Sequence, residues 1–153
     1  MKFLLLSLIA LISFTSCAQI KVDKINHWDK KVDSALTIIK TYDVQKYNLL
    51  EKNCSKISFW AQDFNSSTIE EGGIIYISNK SFNNGGDIYD ISATIIHESM
   101  HLQLRKIKIS ISEDEEEYLA YEWEIDFLSK VPNVPFYLLE HANNMKNYYR
   151  KRI

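Results

Sequence analysis

The segment TIIHESMHLQL, residues 94–104, constrains the fold of this chain most, because it places ionisable side chains within an apolar helical pattern. His97 and His101 are four residues apart, so they share one face of a helix. The residues at 94–96 and Leu102 are uncharged, which predicts that this helix is buried. A buried imidazole without a partner is costly, so the fold must supply a partner for both histidines.

A metal ion is the partner that this spacing favours over two partly exposed histidines on an amphipathic helix. Two imidazole nitrogens on one helical face can bind one Zn²⁺ ion. Glu98 lies roughly 100° further round the helix and can act on a water molecule beside that ion. The sequence therefore predicts Zn²⁺ as cofactor, His97 and His101 as ligands, and Glu98 as the catalytic base.

The same segment resembles the extended signature of the zincin metallopeptidases, with Thr94 three residues before the first histidine and uncharged residues around the pair. Gln103 departs from that signature, which usually has an apolar residue there. The resemblance implies a zinc-dependent peptidase with a peptide or protein substrate and a third protein ligand. The metzincin branch would have a glycine and another histidine shortly downstream, and residues 102–112 contain neither.

The gluzincin branch takes its third ligand from a glutamate on a later helix, and residues 56–129 resemble the compact minigluzincin type. The predicted helix EDEEEYLAYEWEIDFL, 113–128, is rich in candidates. At roughly 100° per residue, Glu117 and Glu124 point along its apolar side, where an acid needs a partner. We expect Glu117 to be the third ligand and Glu124 to be a partner of a ligand histidine or an alternative ligand. Glu122 remains a further alternative, because with Asp126 it repeats the E-x-x-x-D spacing of several gluzincins.

Other candidate side chains carry weaker predictions. Glu113 to Glu116 are typical of a solvated helix start. His27 and His141 are expected at the surface or at helix ends. A substrate carbonyl could be polarised by one of three tyrosines, namely Tyr121, Tyr148 and Tyr149.

The first residues are typical of a bacterial export signal. Lys2 precedes the apolar run FLLLSLIALISF, 3–14, and Ser16-Cys17 resembles a lipobox. We expect residues 1–17 to form a signal peptide with a lipobox, in which residues 1–16 are removed and Cys17 is lipidated and anchors the protein to a membrane. Cleavage after Ala18 is the alternative. Either outcome places the protein in the cell envelope or outside the cell.

Residues 18–153 are expected to form a single α+β domain of zincin-like type, with a short mixed sheet, a helix carrying the His-Glu-x-x-His motif and a following glutamate helix. The predicted elements are one or two helices over 25–50, strands at 56–60 and 72–78, a turn-forming loop at 79–87, a helix from Asp87 or Asp90 to Lys106, a strand or extended linker at 107–112, a capped helix at 113–129 and a last helix from Pro135 to about Arg150. By the resemblance, the strand at 72–78 is the edge strand that holds substrate.

Charge and cysteine content restrict the alternatives. A formal net charge of −2 gives no reason to expect a nucleic-acid partner. After removal of the signal peptide, the chain contains Cys54 and at most one other cysteine, the lipidated Cys17. No disulfide framework is therefore available, and the fold rests on its core or on a metal. The alternative to an enzyme is a non-catalytic envelope lipoprotein with a structural zinc site, or one that uses a zincin fold for binding.

Overall fold

The computed structural model describes residues 19–24, 28–60, 68–70, 72–78 and 87–153. Within this part the chain is α+β and mostly helical. Its strands are β1 (Lys21–Val22), β2 (Lys56–Trp60), β3 (Thr68–Glu70) and β4 (Ile74–Ser78), and its helices are α1 (Trp28–Tyr42), α2 (Val44–Asn53), α3 (Ile88–Lys106), α4 (Glu113–Leu128) and α5 (Phe136–Arg150). The predicted signal peptide with Cys17, the residue His27 and the loop at 79–86 lie outside the described residues.

The helix ends follow local capping rules. Of the two candidates, Asp87 caps α3, since its carboxylate accepts hydrogen bonds from the backbone N–H groups of Tyr89 and Asp90. The capped helix predicted at 113–129 is α4, and Ser112 and Glu115 form a capping box at its start. These caps confirm the predicted start of both helices.

The segment predicted as one or two helices is two. Asp43 interrupts it and caps α2 by accepting a hydrogen bond from the backbone N–H of Lys46. Residues 107–112, predicted as a strand or an extended linker, contain a turn at Ile107 and Lys108 and then a linker without strand pairing. The last helix begins one residue later than predicted, with Pro135 at its N-cap.

The sheet has the order β1-β2-β4-β3, with β1, β2 and β4 parallel and β3 antiparallel to β4. The expectation that the strand at 72–78 forms the edge is therefore wrong, because β4 has a neighbour on each side. Its continuous apolar run buries Ile75 and Ile77 and is typical of an interior strand. The strand also begins later than predicted, because Gly72 and Gly73 have positive φ angles of 91° and 75° and form a turn.

Helix α3 occupies the centre of the described structure. It packs against α1, α2, α4 and the strands β3 and β4, and Ile91, Ile95 and Ile96 are fully buried in the shared hydrophobic core. Helix α4 lies between α3 and α5. This packing turns one side of α3 towards the core and leaves the side that carries the histidines facing α4. None of the described helices is both long enough and apolar enough to cross a membrane.

Candidate metal centre

Helices α3 and α4 bring together three of the predicted ligands. His97, His101 and Glu117 each offer one ligand atom, and these atoms all lie within 4.8 Å of one another. Among the described residues, these three side chains form the group whose ligand atoms lie close enough together to hold one metal ion. The two histidines come from successive turns of α3, and Glu117 comes from the first half of α4.

The distances within this group suit a shared ion better than direct hydrogen bonds. His97 Nε2 is 3.4 Å from Glu117 Oε2, and His101 Nε2 is 3.4 Å from Glu117 Oε1. An N–H···O hydrogen bond is normally about 2.9 Å long. Two ligands that each lie about 2.1 Å from a tetrahedral zinc ion are about 3.4 Å apart. The donor types, two imidazole nitrogens and a carboxylate oxygen, are also those of zinc sites.

The outer nitrogen of each imidazole faces a second carboxylate. His97 Nδ1 is 3.1 Å from Glu124 Oε2, within hydrogen-bonding distance. His101 Nδ1 is 3.5 Å from Glu116 Oε2. An Nδ1–H group that faces a carboxylate leaves the Nε2 lone pair free to bind a metal ion, and it fixes the ring orientation.

The contact of Glu116 with His101 is not predicted by the sequence, in which Glu113 to Glu116 are typical of a solvated helix start. Glu115 fits that assignment through its cap. Glu116 does not, because it directly precedes Glu117 on the helix and reaches the same histidine from the other side. The signal that could have found it is this adjacency, since consecutive residues can contact opposite edges of one imidazole ring.

Glu98 directly follows His97 on α3 and lies near the carboxylates of Glu117 and Glu124. It is buried, with 7% of its surface exposed. Burial raises the pKa of Glu98 to about 7, and the nearby carboxylates of Glu117 and Glu124 add to the rise, while the charges of His97 and Arg105 oppose it. A carboxylate in such a position is held in a poorly solvated environment close to the histidines.

The two histidines differ electrostatically. Burial disfavours the charged form of His97, but the adjacent carboxylates of Glu117 and Glu124 outweigh burial and raise its pKa to about 10. Burial and the neighbouring charge of His97 lower the pKa of His101. The carboxylates near the two imidazoles are those of Glu98, Glu116, Glu117 and Glu124. This excess of negative charge favours a bound cation.

The alternative pair of acids on α4 does not join this group. Glu122 is exposed, and its carboxylate accepts a hydrogen bond of 3.2 Å from the hydroxyl of Tyr118. Asp126 forms ion pairs with Lys46 and Lys130 on a different side of the helix. Helix α4 is thus rotated so that Glu117 and Glu124 face α3, as its apolar pattern predicted.

Aromatic side chains form one wall beside the histidines. The ring of Tyr121 contacts that of His97 edge to face, with centroids 4.5 Å apart, and stacks on Tyr149 at 5.9 Å. The pKa of Tyr121 is raised by burial and by the carboxylates of Glu124 and Glu117. His141 lies 6.3 Å from Tyr121 and is exposed, in agreement with its predicted surface position. Tyr148 packs on Tyr149 further from the histidines.

Gln103, which departs from the zincin signature, has a structural partner. Its side-chain oxygen accepts a hydrogen bond of 2.6 Å from the side-chain amide of Asn53 at the end of α2. A polar residue is accommodated there because it joins α2 to α3. This position does not belong to the group of candidate ligands.

Comparisons with known proteins add no family to this description. No protein-family model matches the sequence, and the search of curated proteins found no similar sequence. The functional interpretation therefore depends on the side-chain geometry.

Proposed function

We propose that this protein is a zinc-dependent hydrolase of gluzincin type that cleaves peptide bonds. The observation that carries the proposal is the convergence of His97 Nε2 and His101 Nε2 on the two oxygens of Glu117, at 3.4 Å each. Glu98 beside them supplies a buried carboxylate on the same rigid helix. This arrangement supports metal-assisted hydrolysis over the other chemistries considered.

The residues present fit a zinc ion in donor type and spacing. His97, His101 and Glu117 would hold it, and a bound Zn²⁺ would supply a Lewis acid that polarises a carbonyl and acidifies a water molecule. Glu124 orients the imidazole of His97 by accepting its Nδ1 proton, and the negative charge of Glu116, 3.5 Å from His101 Nδ1, favours the proton on that nitrogen. These contacts keep both Nε2 atoms directed at the same point.

Glu98 acts as the general base in this proposal. Its carboxylate takes a proton from the attacking water and passes it to the nitrogen of the leaving amine. Its burial keeps competing solvent away and places the charge change in a poorly screened environment. Tyr121 and Tyr149 line the adjacent wall, where a substrate carbonyl would lie.

We extend the proposal to the zincin-like architecture and to the cellular location of the protein. A mixed sheet beside a histidine-bearing helix and a following glutamate helix supports the resemblance to zincins. Within the described sheet β3 is an outer strand next to β4, so in this proposal substrate would add to β3 in place of β4. We propose that the protein is exported and held at a bacterial membrane by lipid on Cys17, as its first residues predict.

Metal content of the purified protein tests the proposal most directly. We expect about one equivalent of zinc per chain, from a single three-ligand site. His97→Ala and His101→Ala should each abolish it, and His141→Ala, an exposed histidine close by, should not. If the zinc content is unchanged in both ligand variants, the proposed site is wrong.

Glu98→Gln separates catalysis from binding. It preserves side-chain shape and should leave the zinc content unchanged. Cleavage of an unstructured protein substrate should fall by about 10²–10⁴-fold, the usual contribution of a general base. A variant with native activity would contradict this role, and zinc binding without cleavage in either form would favour the non-catalytic lipoprotein with a structural zinc site.

A further inference from the structure

The end of α3 continues into an exposed segment that alternates cations with isoleucines. We call Arg105 to Ile109, sequence RKIKI, the basic turn. Its three cations are exposed, and Ile107 and Ile109 are 50% and 47% exposed. No acid occurs from there to Ser112. Cations in the last helical turn stabilise the helix dipole, which accounts for Arg105 and Lys106 but not for the rest of the segment.

Lys108 occupies a backbone conformation that favours glycine. Its φ angle is 55°, in the left-handed region. The backbone N–H of Lys108 donates to the carbonyl of Arg105, and that of Ile109 donates to the carbonyl of Leu104. This pair of bonds is a Schellman motif, whose left-handed residue is usually glycine because other side chains are strained there. A lysine at this position costs stability, so folding alone does not explain it.

The basic turn lies at the end of the molecule where the described chain begins. Lys106 Nζ donates a hydrogen bond of 3.3 Å to the carbonyl oxygen of Lys52 near the end of α2. Two residues beyond α2, the carbonyl of Ser55 accepts a bond from the backbone N–H of Lys21 in β1. The exposed cations Lys21 and Lys52 therefore add to the positive charge of this end.

We propose that the basic turn docks on an anionic lipid surface. Exposed cations matched to negative headgroups, with half-exposed isoleucines between them, are the combination that holds a segment at a bilayer interface. In the sequence, Cys17, the predicted lipidation site, is only four residues before Lys21, whose position at this end is described. The inference does not depend on the proposed metal site.

Vesicle binding by the full chain tests this docking. Partition coefficients are measured for neutral phosphatidylcholine vesicles and for vesicles with phosphatidylglycerol added. The readout is the ratio of the two coefficients, because any contribution of the predicted N-terminal anchor to both vesicle types cancels. We expect the native chain to prefer the anionic vesicles. Lys108→Gly should lower the ratio about fivefold, the value of one interfacial cation, while leaving the melting temperature unchanged or higher.

Three further variants isolate the cause. Lys108→Arg keeps the charge and should keep the native ratio. Lys40→Gln removes an exposed cation near the end of α1, at the opposite end of α2 from Lys52, and should also keep the native ratio. Replacing Ile107 and Ile109 with serine should weaken binding to anionic vesicles by about tenfold. A native chain without preference for anionic vesicles, or a Lys108→Gly variant with the native ratio, overturns the proposal.

Discussion

At the scale of single residues, the acids on α4 have the same chemistry but different contacts. These contacts assign a different role to each acid. Glu117 faces both Nε2 atoms, Glu124 and Glu116 face the Nδ1 atoms, and Glu122 faces solvent. All four carry the same carboxylate. Their distances to the two histidines therefore predict different effects on metal binding.

Removing these acids one at a time should produce a graded loss of zinc affinity. We expect Glu117→Ala to lose zinc sharply, because it removes a ligand, and Glu124→Ala to weaken binding by about 10–100-fold through loss of imidazole orientation. Glu122→Ala should be nearly silent. Titration with a competing chelator measures the three affinities. If Glu122→Ala empties the site while Glu117→Ala does not, the assignment of the third ligand is wrong.

Glu116→Gln tests the contact that only the structure revealed. The change removes the charge facing His101 Nδ1 but keeps an oxygen acceptor, so we expect zinc affinity to fall by about tenfold or more. The matched control is Glu113→Gln, an exposed acid one turn earlier on the same helix. With Co²⁺ in place of zinc, the absorption spectrum should shift for the Glu116 variant only. Equal behaviour of the two variants would show that Glu116 does not orient His101.

At the scale of elements, a partly buried ionic group connects α4 to α2. Lys46 is 4% exposed, pairs with Asp43 and Asp126, and lies 4.3 Å above the ring of Trp123. Lys130 Nζ is 2.7 Å from both acids. The contacts to Trp123 and Asp126 hold the side of α4 opposite the histidines. This group therefore supports the helix rotation that turns Glu117 and Glu124 towards α3.

Lowering the pH should weaken this ionic group, because its carboxylates become protonated. Burial would raise the pKa of Asp43, but hydrogen bonds from Lys130 and Lys46 outweigh it and lower the pKa below its ordinary value. A carboxyl with a lowered pKa stabilises the fold above its unfolded pKa of about 3.9, and this contribution is lost as the pH falls through the folded value. Asp43→Asn keeps the cap of α2 but should flatten the loss of unfolding free energy below about pH 5. Urea denaturation at several pH values measures it, and an unchanged pH profile would contradict the prediction.

At the scale of the whole molecule, the candidate metal centre joins α3, the central helix, to α4. A ligand that binds only the folded state stabilises it by about 2.7 kcal/mol at a free concentration of 100 times Kd. We expect zinc removal by a chelator to lower the melting temperature by roughly 5–10 °C and re-addition to restore it. His101→Ala should melt at the same temperature with and without chelator. A chelator effect of native size in that variant would place the metal elsewhere.

Much of the local structure was predictable from the sequence, because the interactions involved span only a few residues. The caps of α3 and α4 each lie within three residues of the groups that they bind. The spacing of His97 and His101 places them on one helical face whatever surrounds the helix. The apolar pattern of α4 likewise oriented Glu117 inwards, since burial of its apolar side chains determines the rotation of the helix.

Only the tertiary structure decided how these elements meet. β4 is an interior strand because it pairs with β3 and also with β2, which is more distant in the sequence. Its apolar run and the preceding glycine turn do not determine which strands pair with it. Glu117 and Glu124 share a face in the sequence pattern, and the packing of α4 on α3 determines that they face different nitrogens of His97. The roles of Glu116 and Lys46 depend on the same packing. Periodicity along one helix determines which side is buried, whereas which atoms meet across the interface depends on the position of the second helix.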